Sequence, residues 1–124
     1  MQRIVRSVIV LYGFGLVVSQ PLASAQDAAA GKQLFGQCGV CHSIDGSNGV
    51  GPTLLGVYGR KAGSVSDFRY SRAMKNANIT WDDNTLEAYL ADPQKLIPGN
   101  LMPFSGLSDP KQRADVIAYL KTLK

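Results

Sequence analysis

Cys38-Gly39-Val40-Cys41-His42 gathers both cysteines and the only histidine of the chain into five consecutive residues. Two thiols separated by two residues and followed at once by an imidazole form the pattern that attaches a c-type haem. The spacing has a chemical reason. Each thiol adds across one vinyl group on the same haem edge, and the adjacent imidazole is carried under the iron as an axial ligand. Two other chemistries use similar pieces. A thioredoxin-like redox motif also reads C-x-x-C, but it sits in a βαβ setting, and the residues around Cys38 do not read as strands. Structural zinc takes four ligands, whereas the chain offers three Cys and His groups, all in one turn. The stretch therefore predicts one covalently attached haem c.

Toward the N-terminus, Arg3 and Arg6 precede an apolar run from Val8 to Val18, and Ala23-Ser24-Ala25 supplies small residues. That is the layout of a secretory signal peptide with its cleavage site. The run is 11 residues long and contains Gly13 and Gly15, short of the roughly 20 apolar residues that cross a bilayer. The expectation is a signal peptide over residues 1–25, removed on export, and a single periplasmic domain over residues 26–124. Loss of Arg3 and Arg6 lowers the formal charge from +4 to +2. So small an excess does not argue for nucleic acid, and no nucleic-acid motif is present. Exported cysteine pairs usually form disulfides, but a two-residue gap closing on a histidine suits haem better.

The mature segment reads as helices joined by loops. Asp27 to Gln37 predicts a first helix, rich in the strong helix former alanine. Gly31 is costly inside it unless another backbone passes close by. Gly46 to Gly63 is a glycine-rich loop. A short helix is expected around Ser71 to Asn76. Thr80-Trp81-Asp82-Asp83 has the form of a capping box with Thr80 as cap, opening a helix that carries Leu86, Tyr89 and Leu90 and stops at Asp92-Pro93. Pro93 can begin a further turn reaching Ile97. Ser108-Asp109-Pro110 starts the last helix, with proline suited to the first turn and Val116, Ile117 and Leu120 at helical spacing. Strand signals are nearly absent, so the fold class is all-α.

Haem iron has a second axial position, and no second histidine exists to fill it. Once Met1 leaves with the signal peptide, Met74 and Met102 are the remaining thioethers. Met102 lies in Ile97-Pro98-Gly99-Asn100-Leu101-Met102-Pro103-Phe104, where two prolines restrict the backbone and Gly99 permits a tight turn. A ligand loop needs that stiffness. Met74 sits on a short helix and reads as a gap-filling core side chain. Met102 is the chosen ligand, giving a His42/Met102 iron. Two protein ligands leave no open position for dioxygen or peroxide, and a thioether raises the reduction potential.

At this point the residues are recognisable. From Gly31 to the C-terminus the chain resembles the class I cytochromes c, in particular the small bacterial members related to the mitochondrial protein. The resemblance is carried by Gly31 and Phe35, the haem motif, Gly51-Pro52, Gly56, Gly59-Arg60-Lys61, Tyr70-Ser71 with Ala73, Ile79-Thr80-Trp81, Tyr89-Leu90, Pro93, Pro98-Gly99 with Met102 and Phe104, and Tyr119-Leu120. It implies a small haem-wrapping fold whose N- and C-terminal helices cross at Gly31, near Phe35 and Tyr119. It also implies that the Pro52 carbonyl accepts the His42 Nδ1–H, an orienting contact. Arg60, Tyr70 and Trp81 look like the holders of a haem propionate, which is costly to bury unpaired. Tyr89 would lie near Met102.

The departures from the family pattern carry information of their own. Met74 stands where many relatives have an asparagine, and Asn100-Leu101 replace the Thr-Lys often found before the ligand methionine. Gln33, Gln37, Gln94, Ser108 and Asp109 occupy positions where mitochondrial relatives carry lysines, although Lys95 remains. A lysine ring steers acidic partners. With that ring thinned, a more apolar contact around Leu101, Pro103 and Phe104 is expected.

The function implied is a monomeric single-electron carrier, not an enzyme, with redox proteins as partners and neither nucleic acid nor a small-molecule substrate. A cytochrome bc complex or a dehydrogenase would donate; a terminal oxidase or reductase would accept. A haem peroxidase or a diatomic-gas-binding module would need a labile sixth ligand. The peroxidase would also need a distal acid/base, and the only histidine is already committed.

Overall fold

The computed structural model describes residues 10, 13, 15–19 and 26–124. Arg3, Arg6 and the expected cleavage site at Ala23-Ser24-Ala25 lie outside the described residues. Among the described residues, five α-helices run in the order α1 (Ala28–Leu34), α2 (Arg72–Lys75), α3 (Asp83–Ala91), α4 (Pro93–Leu96) and α5 (Pro110–Leu120), with a 3-10 turn at Phe35–Gln37 directly after α1. Among the described residues, pairing between extended segments is limited to one antiparallel bridge, Lys61 to Thr80. The fold is all-α, as expected, and no helix of the described residues is long and apolar enough to cross a membrane.

Side-chain caps set most helix starts. Asp27 caps α1 by accepting the Ala29 and Ala30 amides, which satisfies two of the donors a helix N-terminus leaves open. Asp92 accepts the Lys95 amide at the start of α4, and Asp109 accepts the Lys111 amide at the start of α5. Each of these last two helices has proline in its first turn, where no amide hydrogen is needed.

At α3 the structure corrects the sequence expectation. Its cap is Asp82, not Thr80: the Asp82 carboxylate accepts the Thr85 amide while the Thr85 hydroxyl accepts the Asp82 amide. Thr80 is held in the bridge to Lys61, and its carbonyl accepts the Thr85 hydroxyl at 2.7 Å. The chain is therefore still extended at residue 80 and turns helical two residues later than expected.

The terminal helices cross, α1 packing on α5, and α3 packs on both α5 and α4. The crossing depends on Gly31, because a Cβ there would lie 1.9 Å from the Asp115 carbonyl oxygen. Phe35 and Tyr119 meet beside it edge to face, with ring centroids 5.2 Å apart. Asp115 adds a polar tie, accepting the Asp27 amide at 2.9 Å and pairing with Lys111. Arg113 joins α5 to α3 through Glu87 at 2.6 Å. The long loop between Cys38 and Ser71 is anchored on this frame: the Gly56 amide donates to the Leu123 carbonyl, and the Gly59 amide to that of Trp81. Loop and helices together enclose a central cavity.

Candidate haem site

Both cysteines of the motif sit on the turn that leaves the first helical segment. The His42 amide donates to the Cys38 carbonyl at 2.9 Å, so one helical turn brings the two thiols and the imidazole to one side. All three line the central cavity, whose volume is about 320 Å³, inside the range of about 300–1,000 Å³ usual for cofactor sites. Neither cysteine is in a disulfide, and burial pushes the Cys38 thiol up from its ordinary pKa.

The imidazole is oriented by backbone. Its Nδ1 lies 2.7 Å from the Pro52 carbonyl oxygen. A carbonyl only accepts, so Nδ1 carries the proton and Nε2 keeps its lone pair for a metal. Gly51 packs flat against the same ring, since a Cβ there would fall 2.5 Å from His42 Cε1 and 2.7 Å from Nδ1. The resemblance named Gly51 only as part of a motif; its work as a wall behind the ring emerges from the folded loop.

Met74 and Met102 both line the cavity, so Met74 is wall as well as core filler. Met102 is distinguished by its hydrogen bonding. The Tyr89 hydroxyl donates to the Met102 sulfur at 3.8 Å, and burial pushes the Tyr89 pKa up to about 12, which keeps that hydroxyl protonated. Tyr89 packs on Trp81 with ring centroids 4.9 Å apart. The Met102 amide, in turn, donates to the Asn100 side chain at 2.9 Å.

Arg60, Tyr70 and Trp81 come together on the cavity wall. Two guanidinium nitrogens of Arg60 donate to the Thr53 and Leu55 carbonyls at 2.9 and 3.0 Å. Five N–H donors are available on that group, so capacity remains. Desolvation lowers the Arg60 pKa, and no carboxylate among the described residues forms a salt bridge with it. A half-buried cation without an anion fits a cofactor that brings its own carboxylates. The Tyr70 hydroxyl accepts the Val65 amide at 3.1 Å, which leaves its own hydrogen to donate. The rest of the wall is largely apolar, including Val57, Leu86, Leu90, Val116 and Leu120. Leu86 and Leu90 come from α3, and Val116 and Leu120 from the apolar stripe of α5.

Two thiols, an oriented imidazole, a thioether and an unpaired guanidinium around one apolar cavity fit a covalent, carboxylate-bearing macrocycle. Together with the helical frame they define the class: a small haem-binding electron carrier. Comparison with known proteins agrees. The family described as cytochrome c matches residues 28–124. Cytochrome c2 iso-2 of Magnetospirillum fulvum is 56% identical over 90 residues, covering 72% of this chain and 94% of that protein. Cytochrome c2 of Rhodomicrobium vannielii is 47% identical over 116 residues, covering 92% of this chain and 93% of that one. The solved structure of cytochrome cH from Methylobacterium extorquens superposes with a TM-score of 0.75 at 52% identity, covering 77% of this chain and 98% of its own. The chain belongs to the cytochrome c family. It binds one covalent haem c and carries electrons; it is not an enzyme.

Proposed function

We propose that residues 1–25 direct export and are removed, and that residues 26–124 act as a monomeric periplasmic shuttle for single electrons. Cys38 and Cys41 tether the haem, His42 and Met102 ligate its iron, Arg60, Tyr70 and Trp81 meet a propionate, and Pro52 and Tyr89 orient the two ligands. The observation that carries this reading is the pair of ligand anchors in one cavity: His42 Nδ1 on the Pro52 carbonyl and the Tyr89 hydroxyl on the Met102 sulfur. When bound, the haem supplies an iron that alternates between ferrous and ferric. The protein's share is to keep both ligands in place in either state, exclude water with an apolar wall, and favour the ferrous form through a thioether. The donor is a cytochrome bc complex or a dehydrogenase, and the acceptor a terminal oxidase or another reductase.

Visible spectroscopy of the mature protein in both oxidation states tests the site. Low-spin iron is expected, with a sulfur-to-iron charge-transfer band that Met102→Ala abolishes and Met74→Ala leaves intact. High-spin iron, or rapid carbon monoxide binding at neutral pH, would favour a peroxidase or gas-binding role instead. A periplasmic product whose mass starts at Gln26 is expected from the export reading; a retained leader would count against it.

The contact surface has its own test. Leu101 is 78% exposed and Val50 76%, and both also border the cavity, so its rim is apolar. This supports docking by apolar contact in place of a ring of lysines. Electron-transfer rates should then depend only weakly on ionic strength, and a steep fall with added salt would contradict it.

A further inference from the structure

We propose that the Asn100 carboxamide, braced by that of Gln94, is the positioning residue that holds Met102 at the iron. This rests on Met102 being the axial ligand. Asn100 is 5% exposed, one of only three buried polar or charged side chains among the described residues. Its Nδ2 donates to the Pro93 carbonyl at 3.0 Å and to the Ile97 carbonyl at 2.9 Å, and its Oδ1 accepts the Met102 amide at 2.9 Å. One side chain thus joins the first residue of α4 and the residue just past its end to the backbone of the ligand residue.

Gln94 closes the same loop from outside. Its Nε2 donates to the Asn100 carbonyl at 2.9 Å, and its Oε1 accepts the Gly99 amide at 3.2 Å. Pro98 and Pro103 have no amide hydrogen to place. The Asn100 amide itself donates to Ile97, and that of Phe104 to Met102. Between Ile97 and Phe104 the two carboxamides therefore take up groups that no regular helix or sheet satisfies.

The consequence is specific to the ligand. Methionine has three rotatable side-chain bonds, so a fixed sulfur needs restraint at both ends. Tyr89 restrains the sulfur, and Asn100 restrains the backbone from which the side chain springs. Without the Asn100 side chain, the Met102 amide loses its acceptor, and the Pro93 and Ile97 carbonyls, each still accepting one backbone amide, lose their tie to the ligand residue, so the loop can swing the sulfur away from the iron.

The test is imidazole binding to the oxidised holoprotein, which requires Met102 to leave, measured beside the charge-transfer band and the denaturation midpoint. Asn100→Leu removes all three bonds, and Asn100→Asp keeps the acceptor for Met102 while losing the donors. Gln94→Ala changes an exposed residue and serves if Asn100→Leu does not yield folded protein. Imidazole affinity is expected to rise about tenfold or more in Asn100→Leu, since a buried group left unpaired costs a substantial fraction of the loop's stability. Smaller rises, about threefold, are expected for Asn100→Asp and Gln94→Ala, with a weakened band in each. Variants that lower the denaturation midpoint but bind imidazole like the wild type would show a merely structural role and overturn the proposal. Met102→Ala in the same series separates the two readings: if it retains the band, the assignment of the ligand fails. If it loses the band while every Asn100 and Gln94 variant matches wild type, only the positioning role fails.

Discussion

Gly31→Ala sets helix propensity against interhelix packing. Alanine in a helix interior is favoured over glycine by roughly 0.5–1 kcal/mol, so an uncrowded site would gain that much. Gly31 is instead buried where α1 crosses α5. The new Cβ would lie 1.9 Å from the Asp115 carbonyl oxygen, 2.5 Å from its carbon and 3.0 Å from Tyr119 Cβ. Ordinary contact begins near 3.4 Å, and the obstacle is backbone, so the helices must part by about 1.5 Å to recover it. Parting them strains the Asp27 amide bond to Asp115 and the Phe35–Tyr119 contact. Overpacking costs about 1–3 kcal/mol, and the loosened bond and ring pair about 1 kcal/mol each. After the propensity gain, a net loss of about 2–4 kcal/mol is expected, which lowers the melting midpoint of a domain this size by about 10–25 °C. Thermal and urea denaturation of the holoprotein, followed by far-UV circular dichroism, measures it. A variant as stable as the wild type would refute the close crossing.

Gly51→Ala should drive its methyl group into the His42 ring and break the Nδ1 bond to Pro52, costing about 1–3 kcal/mol by overpacking. A perturbed spectrum of the oxidised holoprotein and a lowered denaturation midpoint would record it. Cys38→Ala or Cys41→Ala should remove one thioether link and leave one haem vinyl group unreacted, read as a red shift of the reduced pyridine haemochrome band; a spectrum with both vinyl groups consumed would contradict the motif. The Lys111 ammonium, followed by the Asp27 amide, holds the Asp115 carboxyl below the usual carboxylate range. A depressed folded pKa contributes stability above the unfolded value that is lost as pH falls through the folded one. Stability should therefore decline below about pH 4, and Asp115→Asn should flatten that acid limb in denaturation measured across pH.

The attachment motif, the helical class and the starts of α1, α4 and α5 were legible along the chain because each is built from neighbours. A thiol–thiol–imidazole turn, an aspartate before an amide it can reach, and a proline in a first turn are all local facts. Local signals also mislead when two of them compete. Thr80 and Asp82 each stand three residues before a side chain suited to a capping box, and only the distant pairing of Thr80 with Lys61 decides for Asp82. Asn100 offered a fainter clue, an asparagine whose side chain can reach the amide two residues on. Its two bonds back to Pro93 and Ile97 depend on how α4 ends.

By itself the sequence determined what chemistry is available: one imidazole, two thiols and the thioethers of Met74 and Met102, set among helix formers and stiffened loops. Tertiary structure alone decided which of them meet. The Pro52 carbonyl reaches His42 from ten residues away, and Tyr89 reaches Met102 from thirteen. Arg60 faces the cavity without a salt bridge to any carboxylate among the described residues, and Gly31 admits the Asp115 backbone. Such contacts form only when distant segments close on one another and the gain from shared burial outweighs the entropy of closing the loops between them. No window of neighbouring residues contains that balance.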